Sequence, residues 1–255
     1  MVKFTYREDG PVTGYVYVAN SKQDDRFRTA RPGDIIRNPE PDPPYILVSH
    51  NTEDIVLSGW PGTLWTAEVL DATAQQEEDS DFTRAVAVRL VERLPAHTLF
   101  GPHGEAVAWV ADRASRLSYA EAELLADRRA PDAARAYASA WLNWDGMTPS
   151  SREYTDWEGI ISVGSEAPFS PVGRGLRTVF GAVVAQAWRL QGDDAMYAES
   201  GTEDDPELCL AEPWANAALC LIEITMALGA PDLLSQEDHK LLTDPWRVLT
   251  SPSLS

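Results

Sequence analysis

Two histidines and a carboxylate stand close together in His97-Thr98-Leu99-Phe100-Gly101-Pro102-His103-Gly104-Glu105. Imidazoles titrate near neutral pH, and beside a carboxylate they are groups that general acid–base chemistry uses. The glycines and the proline also turn the chain into a helix whose first backbone N–H groups can hold an anion. A purely structural turn uses the same Gly-Pro-X-Gly spacing, so chemistry at His97, His103 and Glu105 is one of two readings.

A second polar run, Ser49-His50-Asn51-Thr52-Glu53-Asp54, contains the residue types of a hydrolase triad. Local adjacency does not make a triad, which is defined by geometry across a fold. No Gly-X-Ser-X-Gly elbow accompanies it, and Asn and Asp here serve equally to fold a turn back on its own backbone. Arg26, Arg28, Arg31 and Arg37 bring together four guanidinium groups suited to a phosphate or carboxylate. Asp24, Asp25 and Asp34 are interleaved with them, which favours surface ion pairs.

The opposite charge gathers between Gly192 and Glu212, at Asp193, Asp194, Glu199, Glu203, Asp204, Asp205, Glu207 and Glu212. The spacing is not that of an EF-hand loop. It reads either as a solvated loop or as a docking surface for a basic partner. Glu223 is the odd residue of the apolar run Leu219–Leu228. An unpaired buried charge is costly, so this carboxylate either faces water with Asn216, seven residues away on the same helix face, or pairs internally.

Five short runs rich in β-branched and aromatic residues are expected to form strands: Val2–Tyr6, Gly14–Ala19, Tyr45–Ser49, Asp54–Ser58 and Leu64–Leu70. Asn51-Thr52-Glu53 would join two of them as a hairpin, and Asn20 to Pro44 reads as a long, Pro-rich connection. Residues 73–81 form an acidic linker. Beyond it the apolar period changes to that of helices, expected over Phe82–Leu94, Pro102–Leu117, 118–129, Asp132–Trp144, Gly175–Leu190, Pro213–Leu228 and from Ser235 onward. Ser118-Tyr119-Ala120-Glu121 is a capping box. The expected fold class is α+β: a small N-terminal antiparallel β-sheet region (1–72) and a mainly α-helical region (82–255) with a bundle of about six α-helices.

The 255 residues carry a net charge of -19, unevenly placed. Residues 1–189 hold only -8 of it, whereas 190–255 hold 13 acidic and 2 basic groups, giving -11. Such a field repels nucleic acid and anionic membranes and attracts basic partners. The N-terminus shows no apolar signal segment, and the apolar run Ala217–Ala230 is too short to span a bilayer. Cys209 and Cys220 read as free thiols. Phosphate-binding, dinucleotide, zinc and kinase signatures are absent from the sequence, so no metal and no cofactor is expected. The leading expectation is a cytoplasmic interaction protein (immunity, antitoxin-like or regulatory) that binds a basic partner through its C-terminal region. The rival is an enzyme acting on a small anionic substrate in a cleft between sheet and helices, through His97, His103, Glu105 and His50, with the four arginines holding the anion.

Overall fold

The computed structural model describes residues 12–20, 25–38, 43–73, 80–143, 170–202 and 205–250. The chain divides into two compact units, Met1–Ala96 and His97–Ser255.

The first unit contains β1 (Thr13–Ala19), α1 (Asp25–Thr29), β2 (Ile35–Arg37), β3 (Ile46–Ser49), β4 (Gly62–Ala72) and β5 (Phe82–Leu94). Every pairing is antiparallel. β4 pairs with β1 on one edge and β5 on the other. The free edge of β5 takes β3 along Phe82–Ala85 and β2 along Ala87–Arg89. β3 then meets β1 at Tyr15↔Ser49, and the sheet closes into a small barrel. Register shifts in β4 after Thr66, Val69 and Asp71 bend this long strand, as bulges do where a sheet must curve.

Closure brings β1 hard against β3. A Cβ on Gly14 would lie 2.4 Å from the Ser49 carbonyl oxygen, so only glycine fits there. The interior is filled by Val16, Phe27, Ile36, Ile46, Val48, Trp65, Ala67, Ala85, Val88 and Leu90. Trp65 is wholly buried, and its indole N–H donates to the Phe27 carbonyl at 3.2 Å. That bond anchors α1 to the barrel and satisfies the buried indole donor.

The second unit holds α2 (Gly104–Ala114), α3 (Tyr119–Arg128), α4 (Ala133–Asn143), α5 (Pro171–Gln191), β6 (Met196–Thr202), β7 (Asp205–Leu210), α6 (Trp214–Gly229), α7 (Gln236–Thr243) and α8 (Trp246–Thr250). α6 is central and touches α2, α3, α4, α5 and α7. Each residue from Cys220 to Ala227 on it is buried, as expected of a helix apolar on all sides. Serine hydroxyls cap three helices by accepting a backbone N–H: Ser118 from Glu121, Ser170 from Gly173 and Ser235 from Asp238. Partial burial pushes the Glu121 carboxyl up, but bonds from the Ser118 backbone N–H, Arg113 and the Ser118 hydroxyl outweigh it and hold the group below its usual range.

Several expectations need correction. Phe82–Leu94 is a 13-residue strand and not a helix. Its apolar residues satisfy either period, and pairing with β4, β3 and β2 on both edges decides in favour of the β-branched-rich strand. Asp54–Ser58 is not a strand, and Asn51–Glu53 is not a hairpin. The Asp54 carboxylate accepts from the Asn51 backbone N–H (3.0 Å) and side-chain amide (2.9 Å), closing a 3-10 turn over Thr52–Asp54. The connection Asn20–Pro44 contains α1 and β2. The acidic stretch Gly192–Glu212 is largely a two-stranded ribbon, β6–β7. The expected bundle of about six helices is met only in part, because the helices gather on α6 and the ribbon interrupts them. Val2–Tyr6 and residues 74–79 of the expected linker lie outside the described residues.

Barrel closure at Gly14 is open to a direct test. Gly14→Ala should lower the free energy of unfolding by about 1–3 kcal/mol, the usual cost of forcing a methyl into filled space. Urea denaturation measures it, and an unchanged midpoint would mean that β1 and β3 are not pressed together there.

Candidate functional site

The turn that carries two of the four histidines is tightly built. A 3-10 segment, Ala96–Phe100, buries Leu99 and Phe100 and leads to Gly101 at φ 87°. Gly104 then lies so close to the His97 carbonyl that a Cβ would sit 1.9 Å from that oxygen. This packing places His97, His103 and Glu105 on one short segment at the start of α2. His103 and Glu105 are exposed and His97 is half-buried. None of these three side chains hydrogen-bonds to another described residue, so the turn aligns no acid–base pair within the second unit.

His50 belongs to the first unit. It is exposed, and its Nε2 lies 3.0 Å from the Thr83 hydroxyl. The four arginines are also in that unit. Arg26 donates to the Arg37 carbonyl oxygen at 2.5 Å, while Arg28 pairs with Asp25 at 2.6 Å on the surface of α1. The Arg31 backbone N–H donates to Asp34 (2.8 Å), and Arg37 is exposed on β2. A depression of about 200 Å³, open solvent included, lies beside α1 with Asn20, Asp25, Arg28 and Thr63 in its lining. It falls short of the roughly 300–1,000 Å³ of a small-molecule site. No group of three His, Cys, Asp or Glu side chains suited to a metal ion occurs among the described residues.

The acidic segment begins where α5 ends. Gly192, at φ 58°, donates its N–H to the Trp188 carbonyl and stops the helix. Asp193 and Asp194 follow, both exposed, in the 3-10 turn Gly192–Ala195. β6 and β7 pair through Met196↔Leu210, Tyr197↔Cys209, Ser200↔Glu207 and Thr202↔Asp205, with a register shift between Ala198 and Ser200. Asp205 and Glu207 are thus backbone partners within the ribbon, while Glu203 and Asp204 lie outside the described residues.

Glu223 has an internal partner. Its carboxylate, 5% exposed, accepts from Arg129 Nε at 3.0 and 3.1 Å and from Nη2 at 2.6 Å. This fork-on-fork pair joins the C-terminal end of α3 to the middle of α6. Asn216 does not share in it, donating instead to Glu212 at 2.6 Å. Burial pushes the Glu223 carboxyl above its ordinary range, and Arg129 offsets only part of that rise. Burial pulls the Arg129 guanidinium down, but the bonds and charge of Glu223 outweigh it and hold the cation. Cys220, one turn back on α6, is pushed up to about 12, first by burial and then by Glu223. A thiol so protonated is no nucleophile. Burial also raises the phenol of Tyr137, which packs edge-on to Trp141 with ring centres 6.2 Å apart. This buried cluster has the character of a structural clamp, and Arg129 is the member that sequence reading did not single out.

The pair gives stability a defined pH dependence. Arg129→Met leaves Glu223 buried with no counter-charge, which should cost roughly 3–5 kcal/mol at neutral pH. The folded-state pKa of Glu223 then rises further above the unfolded value of about 4.3. A carboxyl raised in the folded state loses stability as pH rises through that interval, so the gap from wild type should be small near about pH 4 and widen toward about pH 7.5. Urea unfolding at both pH values measures it, and a gap independent of pH would contradict the assignment.

Comparison of this chain with protein families, with characterised proteins and with solved structures finds no match.

Proposed function

We propose that the chain is an acidic, cytoplasmic interaction protein that binds a basic protein partner through its C-terminal region, as an immunity, antitoxin-like or regulatory factor would. One observation supports this reading above the others: residues 190–255 concentrate -11 of the net charge, with no Lys or Arg between Arg189 and Lys240. A field of that sign speeds encounter with cationic surfaces and opposes direct contact with nucleic acid phosphates. No helix among the described residues is long and apolar enough to cross a membrane.

Acid–base catalysis on a small anion has less in its favour. His103 and Glu105 are exposed without an orienting partner among the described residues, and Arg28 is engaged by Asp25.

The immobilised full chain, incubated with lysate of its source cells at roughly 50 mM and 500 mM salt, gives the test. The expected result is retention of one or a few basic proteins at low salt, weakened at high salt. Retention of none, or of acidic and basic proteins alike, would remove the ground for this function.

A further inference from the structure

The last turn of α5 exposes two large apolar side chains next to the buried Ala187. Trp188 is 50% exposed and Leu190 47%, and Tyr197 follows at 49% at the start of β6. Between them stand exposed Asp193 and Asp194, at the carboxyl end of α5, where the helix dipole is itself negative. The one cation of this turn, Arg189, is drawn back along the helix by two bonds to Gln186, at 3.0 and 2.6 Å. β6 and β7 form a sheet of two strands among the described residues, and each strand of such a ribbon turns half of its backbone N–H and C=O groups outward.

Resting on the interaction reading above, we propose that β6 and the end of α5 form a docking face for one kind of occupant: an extended, Lys/Arg-rich segment of a partner protein. The segment adds as a further strand to the open edge of β6. Its cationic side chains lie over the Trp188 and Tyr197 rings and pair with Asp193 and Asp194. Charge selects this occupant. A second copy of the chain would bring the same acidic segment against itself, and like charges so placed oppose docking.

The probe is a fluorescein-labelled peptide of eight residues, Arg and Val alternating, with both ends capped. Its Glu-Val counterpart and two versions N-methylated at alternate peptide bonds, one in each phase, serve as comparisons. Binding to the full chain is read by anisotropy at low salt. The account expects the Arg-Val peptide to bind and the Glu-Val peptide not to. Trp188→Ala should weaken binding roughly two- to thirty-fold, the range of a cation–π contact. Asp193→Asn with Asp194→Asn should weaken it more than Asp232→Asn with Glu237→Gln, which changes the net charge equally but elsewhere. One N-methylated phase should bind far worse than the other, because only one set of amides faces the edge.

Tyr197→Ser provides a second reading of the aromatic contact should Trp188→Ala impair folding by circular dichroism. If the Arg-Val peptide binds but both charge pairs matter equally and neither ring matters, the docking face is wrong while attraction to basic partners stands. If both N-methylated phases bind as well as the parent, strand addition is wrong. If no basic peptide binds at all, both the face and the interaction function fall.

Discussion

A single charged pair, Arg129 with Glu223, is the constraint on which the helical unit depends. α6 is buried on nearly every side, so apolar packing alone leaves its rotation about its own axis weakly determined. One carboxylate amid Cys220–Ala227 removes that freedom, because it must face the one guanidinium that meets it with two-pronged geometry. Arg129 caps the end of α3 and begins the short connection to α4. Beside the pair, Tyr137, Ala140 and Trp141 of α4 pack with Leu176 of α5 and Ile222 and Met226 of α6. The pair costs desolvation. Its return, on this account, is specification of one packing.

The acidic face inherits its position from that packing. α5 is fixed to its neighbours by polar contacts near its exposed end. The Gln186 amide donates to the Leu117 carbonyl at 2.6 Å, and the Trp214 indole donates to Gln191 at 2.5 Å. The N–H of Ala211 reaches the Ala195 carbonyl at 2.9 Å, tying the exit of β7 to the start of β6. The last turn of α5, the aspartates after it and the ribbon are therefore held by the residues that flank α6. The proposed docking face is thus mounted on such elements and not on an unsupported loop, so less order would have to be gained on binding.

Local rules made part of this legible from the residues alone. The box Ser118–Glu121 and the cap Ser235 each mark a helix start, because a hydroxyl three residues before a backbone N–H satisfies it whatever the rest of the fold does. Phe82–Leu94 was not legible, since Val86, Val88 and Leu90 fit both periods and the deciding partners lie in β2, β3 and β4. The ribbon at 196–210 was hidden by its acidity, which reads as solvated loop. Glu223 was visible as an anomaly, but its partner stands 94 residues away. Arg128 and Arg129 look alike in sequence, both suited to the negative end of α3, and only tertiary packing distinguishes the one that turns inward. The histidine turn was read correctly as a sharp bend into α2, and the cause, the approach of Gly104 to the His97 carbonyl, needed coordinates.

The claim that this pair organises the helical unit is tested most directly by a double-mutant cycle on Arg129→Met and Glu223→Leu, with unfolding free energies measured at neutral pH. The account predicts a coupling of roughly 2–3 kcal/mol, the double variant being clearly more stable than the sum of the single losses allows. It further predicts that the double variant shows broadened methyl resonances for Leu176, Ile222 and Met226, the packing the pair would otherwise fix. A coupling within about 0.5 kcal/mol of zero, the level of independent sites, would contradict it.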